Sequence, residues 1–148
     1  MTKWNAVETD APAFARRVRA LFDAGTNKTI ATLRSDGSPR ISGIELEFSH
    51  GTIRLGLMPD SAKLADVERD PRVAIHSPTL EPPSDPELWD GEGKLSGTLV
   101  PIPADPEGPP GSYFELDLTE VVLVCVEGGV LVIESWHPDR GWEVRRRA

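Results

Sequence analysis

The stretch from Thr29 to Ser77 reads TIATLRSDGSPRISGIELEFSHGTIRLGLMPDSAKLADVERDPRVAIHS, and its apolar spacing decides the fold class. Alternation in KTIATLR predicts a strand, and the Asp36-Gly37 pair after it is the signal of a tight hairpin. The returning strand is PRISGIELEF, in which Ile44, Leu46 and Phe48 alternate while Ile41 falls out of phase. A slip at Ser42-Gly43 is what a β-bulge produces, and a simple barrel bend gives the same pattern. TIRLGL, with Ile53, Leu55 and Leu57 in phase, is a third strand of the meander. It runs through Met58-Pro59 into a short helix that starts near Asp60 or Ser61, buries Leu64 and Val67, and stops at Asp70-Pro71. RVAIHS is the fourth strand.

Upstream, Thr9 and Asp10 are capping residue types, Pro12 suits a first turn, and Phe14, Val18, Leu21 and Phe22 share a face. One helix ending at Gly25 is predicted. Downstream, residues 78–92 are rich in proline and acid without an apolar period, which predicts a long loop with Trp89 as its anchor. KLSGTLV is a fifth strand, residues 101–111 are a second loop, and YFELDL with VVLVCV makes a long sixth. Both parities of VVLVCV are apolar, so this strand is expected to be covered on two sides, by a helix or by another subunit. Gly128-Gly129 turns the chain into VLVIESW, the seventh. Six to seven antiparallel strands with two or three short helices predict a mainly β barrel or sandwich, as a single domain over 1–148. No dinucleotide-binding glycine fingerprint and no strand-helix alternation is present, which argues against a Rossmann-type site.

With 148 residues the chain is long enough for a core that needs no disulfide or structural metal. Twenty-four acidic against 16 basic residues give a net charge of -8, which repels nucleic acid and anionic lipid, so neither is an expected partner. Arg145, Arg146 and Arg147 read as a solvated tail. Cys125, the single cysteine, sits in an apolar run as a small hydrophobe. With no signal-like apolar start and no run near the ~20 residues of a span, a cytoplasmic protein is expected.

The three histidines lie far apart without metal-ligand spacing, so no metal site is expected, and no catalytic acid, base or nucleophile stands out. The informative chemistry is Asp60-Ser61-Ala62-Lys63. A helix start already favours an anion, Ser61 adds a hydroxyl, Lys63 adds a charge, and Arg40 on a neighbouring strand is a second cation. The same residues also suit an ordinary cap and a solvated lysine.

In order and spacing, the hairpin on DG-x-P, the strand entering S-x-K at a helix, and the D-P-R-V that opens the next strand resemble the pyridoxamine 5'-phosphate oxidase-like split-barrel family. The resemblance is firm over 26–77 and looser over 93–137. It implies a split β-barrel homodimer with FMN, or in some branches a deazaflavin coenzyme, between protomers. It implies that Arg40, Ser61 and Lys63 hold the phosphate, and that the ring rests on backbone at Ile41, Ser42, Gly56, Leu57 and Met58. His76 and Trp136 are further cofactor candidates at strand ends. Two departures stand out: Ala62 where the oxidase has arginine in S-R-K, and Leu57 near a position where it has threonine. The carboxyl-terminal ESWHPDRGWEVRRR matches none of its substrate-phosphate residues. The resemblance implies a flavin- or deazaflavin-dependent oxidoreductase acting on a small molecule other than pyridoxamine phosphate, and its alternative is a non-catalytic protein that sequesters flavin or haem.

Overall fold

The computed structural model describes residues 1–148. Two short helices, α1 (Trp4–Asp10) and α2 (Pro12–Asp23), lead into β1 (Lys28–Leu33) and β2 (Pro39–Ile44). Then follow β3 (Glu47–Ser49), β4 (Thr52–Leu57), α3 (Ala62–Arg69), β5 (Arg72–His76), β6 (Glu92–Ile102), β7 (Ser112–Glu127), β8 (Val130–His137) and β9 (Gly141–Arg147). All pairings are antiparallel. The sheet runs β2-β1-β5-β6-β7-β4-β3, with β8 added on β7 and β9 on β8. The path's two ends, β2 and β3, are joined only by the chain at Glu45-Leu46, so the barrel stays split there.

β7, whose 16 residues make it the longest strand, serves two neighbours in turn on one edge. Its first part pairs with β4 from Ser112 to Glu115, and its last part pairs with β8 from Val121 to Glu127. The opposite edge pairs with β6 from Tyr113 to Val124, with a bulge between Ser96 and Gly97. Glycine is required at that bulge, because a Cβ on Gly97 would run into the Asp117 carbonyl oxygen.

Ile30, Ile53, Leu55, Leu57, Ile75, Leu95, Leu99, Phe114, Leu116 and Leu118 fill the interior, and one continuous core joins them to α1, α2 and α3. At the β3 end, Phe48 is met edge-on by Trp4 and Phe22 and capped by the Arg19 guanidinium. No helix is long and apolar enough to cross a membrane.

Several sequence expectations change. Nine strands form rather than six or seven, because PRISGIELEF breaks at Glu45-Leu46 into β2 and β3 and the chain's last segment adds β9. Arg145, Arg146 and Arg147 are therefore strand residues paired with Ile133, Val132 and Leu131, not a tail. Trp142 and Val144 are the apolar positions of β9. There is no slip at Ser42-Gly43: the register against β1 is continuous, and Ile41 simply faces outward, 75% exposed. The amino-terminal helix is two helices, with Thr9 and Asp10 ending the first instead of capping the second. In the loop after β5, Trp89 is half-buried among exposed neighbours, and Glu87 is a second anchor, its carboxylate accepting from the Gly128 and Gly129 amides at 3.0 and 2.6 Å.

Candidate functional site

β4 leaves the barrel at Met58-Pro59, and Asp60 turns the chain with a left-handed φ of 58°. Ser61 then caps α3, its Oγ accepting from the Leu64 amide at 3.2 Å. Lys63, in the first turn, reaches across to β2 and donates from Nζ to the Gly43 carbonyl at 2.7 Å. β2 is the edge strand at the split, so this lysine satisfies main chain that the ladder leaves open. From the other side, Arg40 on β2 reaches α3 and donates from Nε to Asp66 Oδ2 at 2.7 Å. Lys63 and Arg40 thus both bridge the seam between β2 and α3, from the first and the second turn of the helix, and Ser61 caps that helix.

Asp66 lies at the centre of that seam, 1% exposed. It also accepts from Thr32 Oγ1 at 2.7 Å and from Arg69 Nη2 at 3.1 Å. The Arg40 hydrogen bond foremost, with burial opposing and Thr32 and Arg69 assisting, holds its carboxyl below the ordinary carboxylate range. Sequence reasoning missed Asp66. Its one signal was a carboxylate between the inward-facing Leu64 and Val67, on the helix stripe that packs against the barrel.

Ile41 and Met58 stand out into solvent at 75% and 72% exposure, and Ser42 is half-buried beside Arg40 on the inward-facing parity. Leu57 points into the core, so only its backbone is open to an outside ligand. Gly56, on the outward face of β4, has the Tyr113 ring 3.3 Å from where a Cβ would sit. It lines a 460 Å³ cleft together with Glu45, Glu47, Arg54 and Tyr113.

The other two candidates do not join this group. His76, at the end of β5, is separated from Gly43 by β1. Both its ring nitrogens are engaged, Nδ1 with the Ser77 carbonyl at 2.6 Å and Nε2 with Glu92 at 2.9 Å. Trp136 is 3% exposed on the helix-covered side of β8, its Nε1 donating to Asp10 Oδ2 at 2.8 Å. That indole ties α1 to the sheet.

An open antiparallel barrel of this strand order, with a helix seated at the split, is the pyridoxamine 5'-phosphate oxidase-like split-barrel fold. No family model and no curated protein sequence matches the chain. Solved structures do. PhzG from Burkholderia lata 383, solved with tetrahydrophenazine-1-carboxylic acid, superposes with a TM-score of 0.67 at 13% identity, over 94% of this chain and 95% of its own. A pyridoxamine 5'-phosphate oxidase-related, FMN-binding protein from Nostoc punctiforme PCC 73102 gives 0.64 at 13% identity, covering 93% of this chain and 96% of its own. A haem-binding protein from Mycobacterium smegmatis gives 0.56 at 14% identity, covering 89% and 87%. At these identities the likeness is one of fold.

Proposed function

We propose that this chain is a homodimeric split-barrel protein that binds a flavin-type cofactor by its phosphate, FMN first and a deazaflavin coenzyme as the alternative, and serves as an oxidoreductase on a small molecule. The observation that supports the reading is that Arg40 and Lys63 both bridge β2 and α3, the helix that Ser61 caps. Two cations, a hydroxyl and the amides of a helix amino terminus are the donor set that a phosphate monoester needs. The FMN-binding neighbour on the same fold supports the choice of cofactor.

In this reading Lys63 exchanges the Gly43 carbonyl for a phosphate oxygen, and Arg40 adds its outer guanidinium nitrogens. Ile41 and Met58 offer apolar surface and Gly56 a bare backbone, which suit a flat ring. A bound flavin supplies hydride and electron transfer, and the protein's work is then position, shielding and electrostatics. That division fits a site without a free histidine or a nucleophile.

A second reading, non-catalytic sequestration of flavin or haem, is favoured by one observation, the haem-binding protein among the structural neighbours. The absorption spectrum of the purified protein separates the two. A flavin or deazaflavin band, with the molecule identified by mass spectrometry after heat release, supports the first reading, and a Soret band supports the second. Pyridoxamine phosphate is not the expected substrate. With FMN present its turnover should stay below about 0.1 per second, where ordinary enzymes run near 10 per second.

A further inference from the structure

We infer that Asp66 is the positioning residue of the anion site, the buried carboxylate that fixes Arg40 by its Nε and so aims the outer edge of the guanidinium at the ligand; this rests on the function proposed above. Arg40 spends only Nε inside the chain, on Asp66 Oδ2 at 2.7 Å, and its two Nη groups have no partner there. A guanidinium held at that corner keeps its remaining N–H groups in a fixed plane, the fork that meets two phosphate oxygens at once. An unheld arginine must give up rotamer freedom on binding, which weakens the contact.

Asp66 is itself immobile. It is buried in the inward stripe of α3, where the Thr32 hydroxyl donates to the same oxygen that Arg40 uses, and Arg69 donates to the other at 3.1 Å. Thr32 and Arg40 are also direct cross-strand partners in the β1–β2 ladder, so threonine, arginine and aspartate form one unit across β1, β2 and α3. An aspartate placed only to pin α3 to the sheet would be served by Thr32 alone. The joint to a 29% exposed arginine at the seam is the part that a ligand reads.

A double-mutant cycle tests the inference, with FMN as the probe and thermal melts beside every titration. Asp66→Asn should weaken FMN binding by about tenfold in the wild-type background and leave it unchanged in the Arg40→Ala background. An equal loss in both backgrounds makes Asp66 a structural residue only, and tighter binding in Asp66→Asn makes it a neutralising charge; either result overturns the inference. A ligand-free readout runs in parallel. The Arg40 Nε–H resonance should be resolved and slow to exchange in wild type and lost to solvent exchange in Asp66→Ala, which removes both acceptor oxygens; persistence in that variant also overturns it. If Arg40→Ala binds FMN as wild type does, the proposed phosphate site has failed instead, and the resonance still decides whether Asp66 holds Arg40.

Discussion

At Asp66 one carboxylate joins α3 to β1 and β2, and its ionisation sets how that joint responds to acid. Its folded pKa lies below the ordinary 3.8 of the unfolded chain. The stabilisation is therefore complete above that value and is lost as pH falls through the lower folded one. Asp66→Asn, which removes the charge and keeps the shape, should cost about 1–3 kcal/mol at neutral pH, the scale of a charged hydrogen bond lost from a buried site. Melting curves of wild type and variant should converge as pH falls through the lowered folded-state value, and a gap that never narrows on acidification would remove Asp66 from the account. Asp70, two residues before its Arg72 partner, is drawn down to about 2 but lies at the surface, and no comparable effect is expected from it.

Among the elements, the loop between β5 and β6 shows what pattern reading misses. Its prolines and acids predict a loop and Trp89 is half-buried in it, yet Glu87, which no pattern marks, holds it as well. A carboxylate meeting two consecutive amides of a glycine turn leaves no trace in apolar periodicity, because the match is between charge and backbone. Glu87→Ala should speed hydrogen exchange at Gly128 and Gly129 and move the melting temperature little, since the contact is exposed. Unchanged exchange at both amides would show the latch to be unoccupied in solution. β9 was illegible for a related reason, because Arg145, Arg146 and Arg147 carry no apolar alternation and are ordered by β8's open edge. The helix-β2 seam was half legible. Ser61, Lys63 and Arg40 announced themselves by type and spacing, whereas Asp66 needed the phase of α3 against the barrel. Trp136 announced itself as an aromatic at a strand end, and α1, which was not foreseen, is what buries it.

Over the whole molecule, the meander, the α3 crossing and the long β7 were all readable from alternation, and the opening between β2 and β3 was not, since PRISGIELEF alternates through the break at Glu45-Leu46. On the face of β7 and β8 opposite the helices, Val122, Val126, Leu131 and Ile133 are half-buried and Val124 is buried, an apolar strip in which Val124 pairs with Ile133 and Val126 with Leu131 and which Lys94 and Glu92 border. A twofold dimer over this face should bury at least ~1,200 Å² in total, the lower bound of a specific interface. Light scattering should give twice the 16.2 kDa of the chain at micromolar concentration. A monomer there would remove the proposed interface.

The most direct measurement is the titration of FMN into wild type, Lys63→Ala and Arg40→Ala, each at low and high salt with a thermal melt alongside. Wild type should bind saturably. Each variant should bind roughly 10 to 150-fold more weakly, the worth of one charge-assisted contact of ~1.5–3 kcal/mol. Lys63→Ala should melt within about 1 kcal/mol of wild type, because it gives up one exposed hydrogen bond to Gly43. If wild type binds and Lys63→Ala binds equally well at both salt concentrations, the phosphate is held elsewhere and the seam between β2 and α3 is not the site.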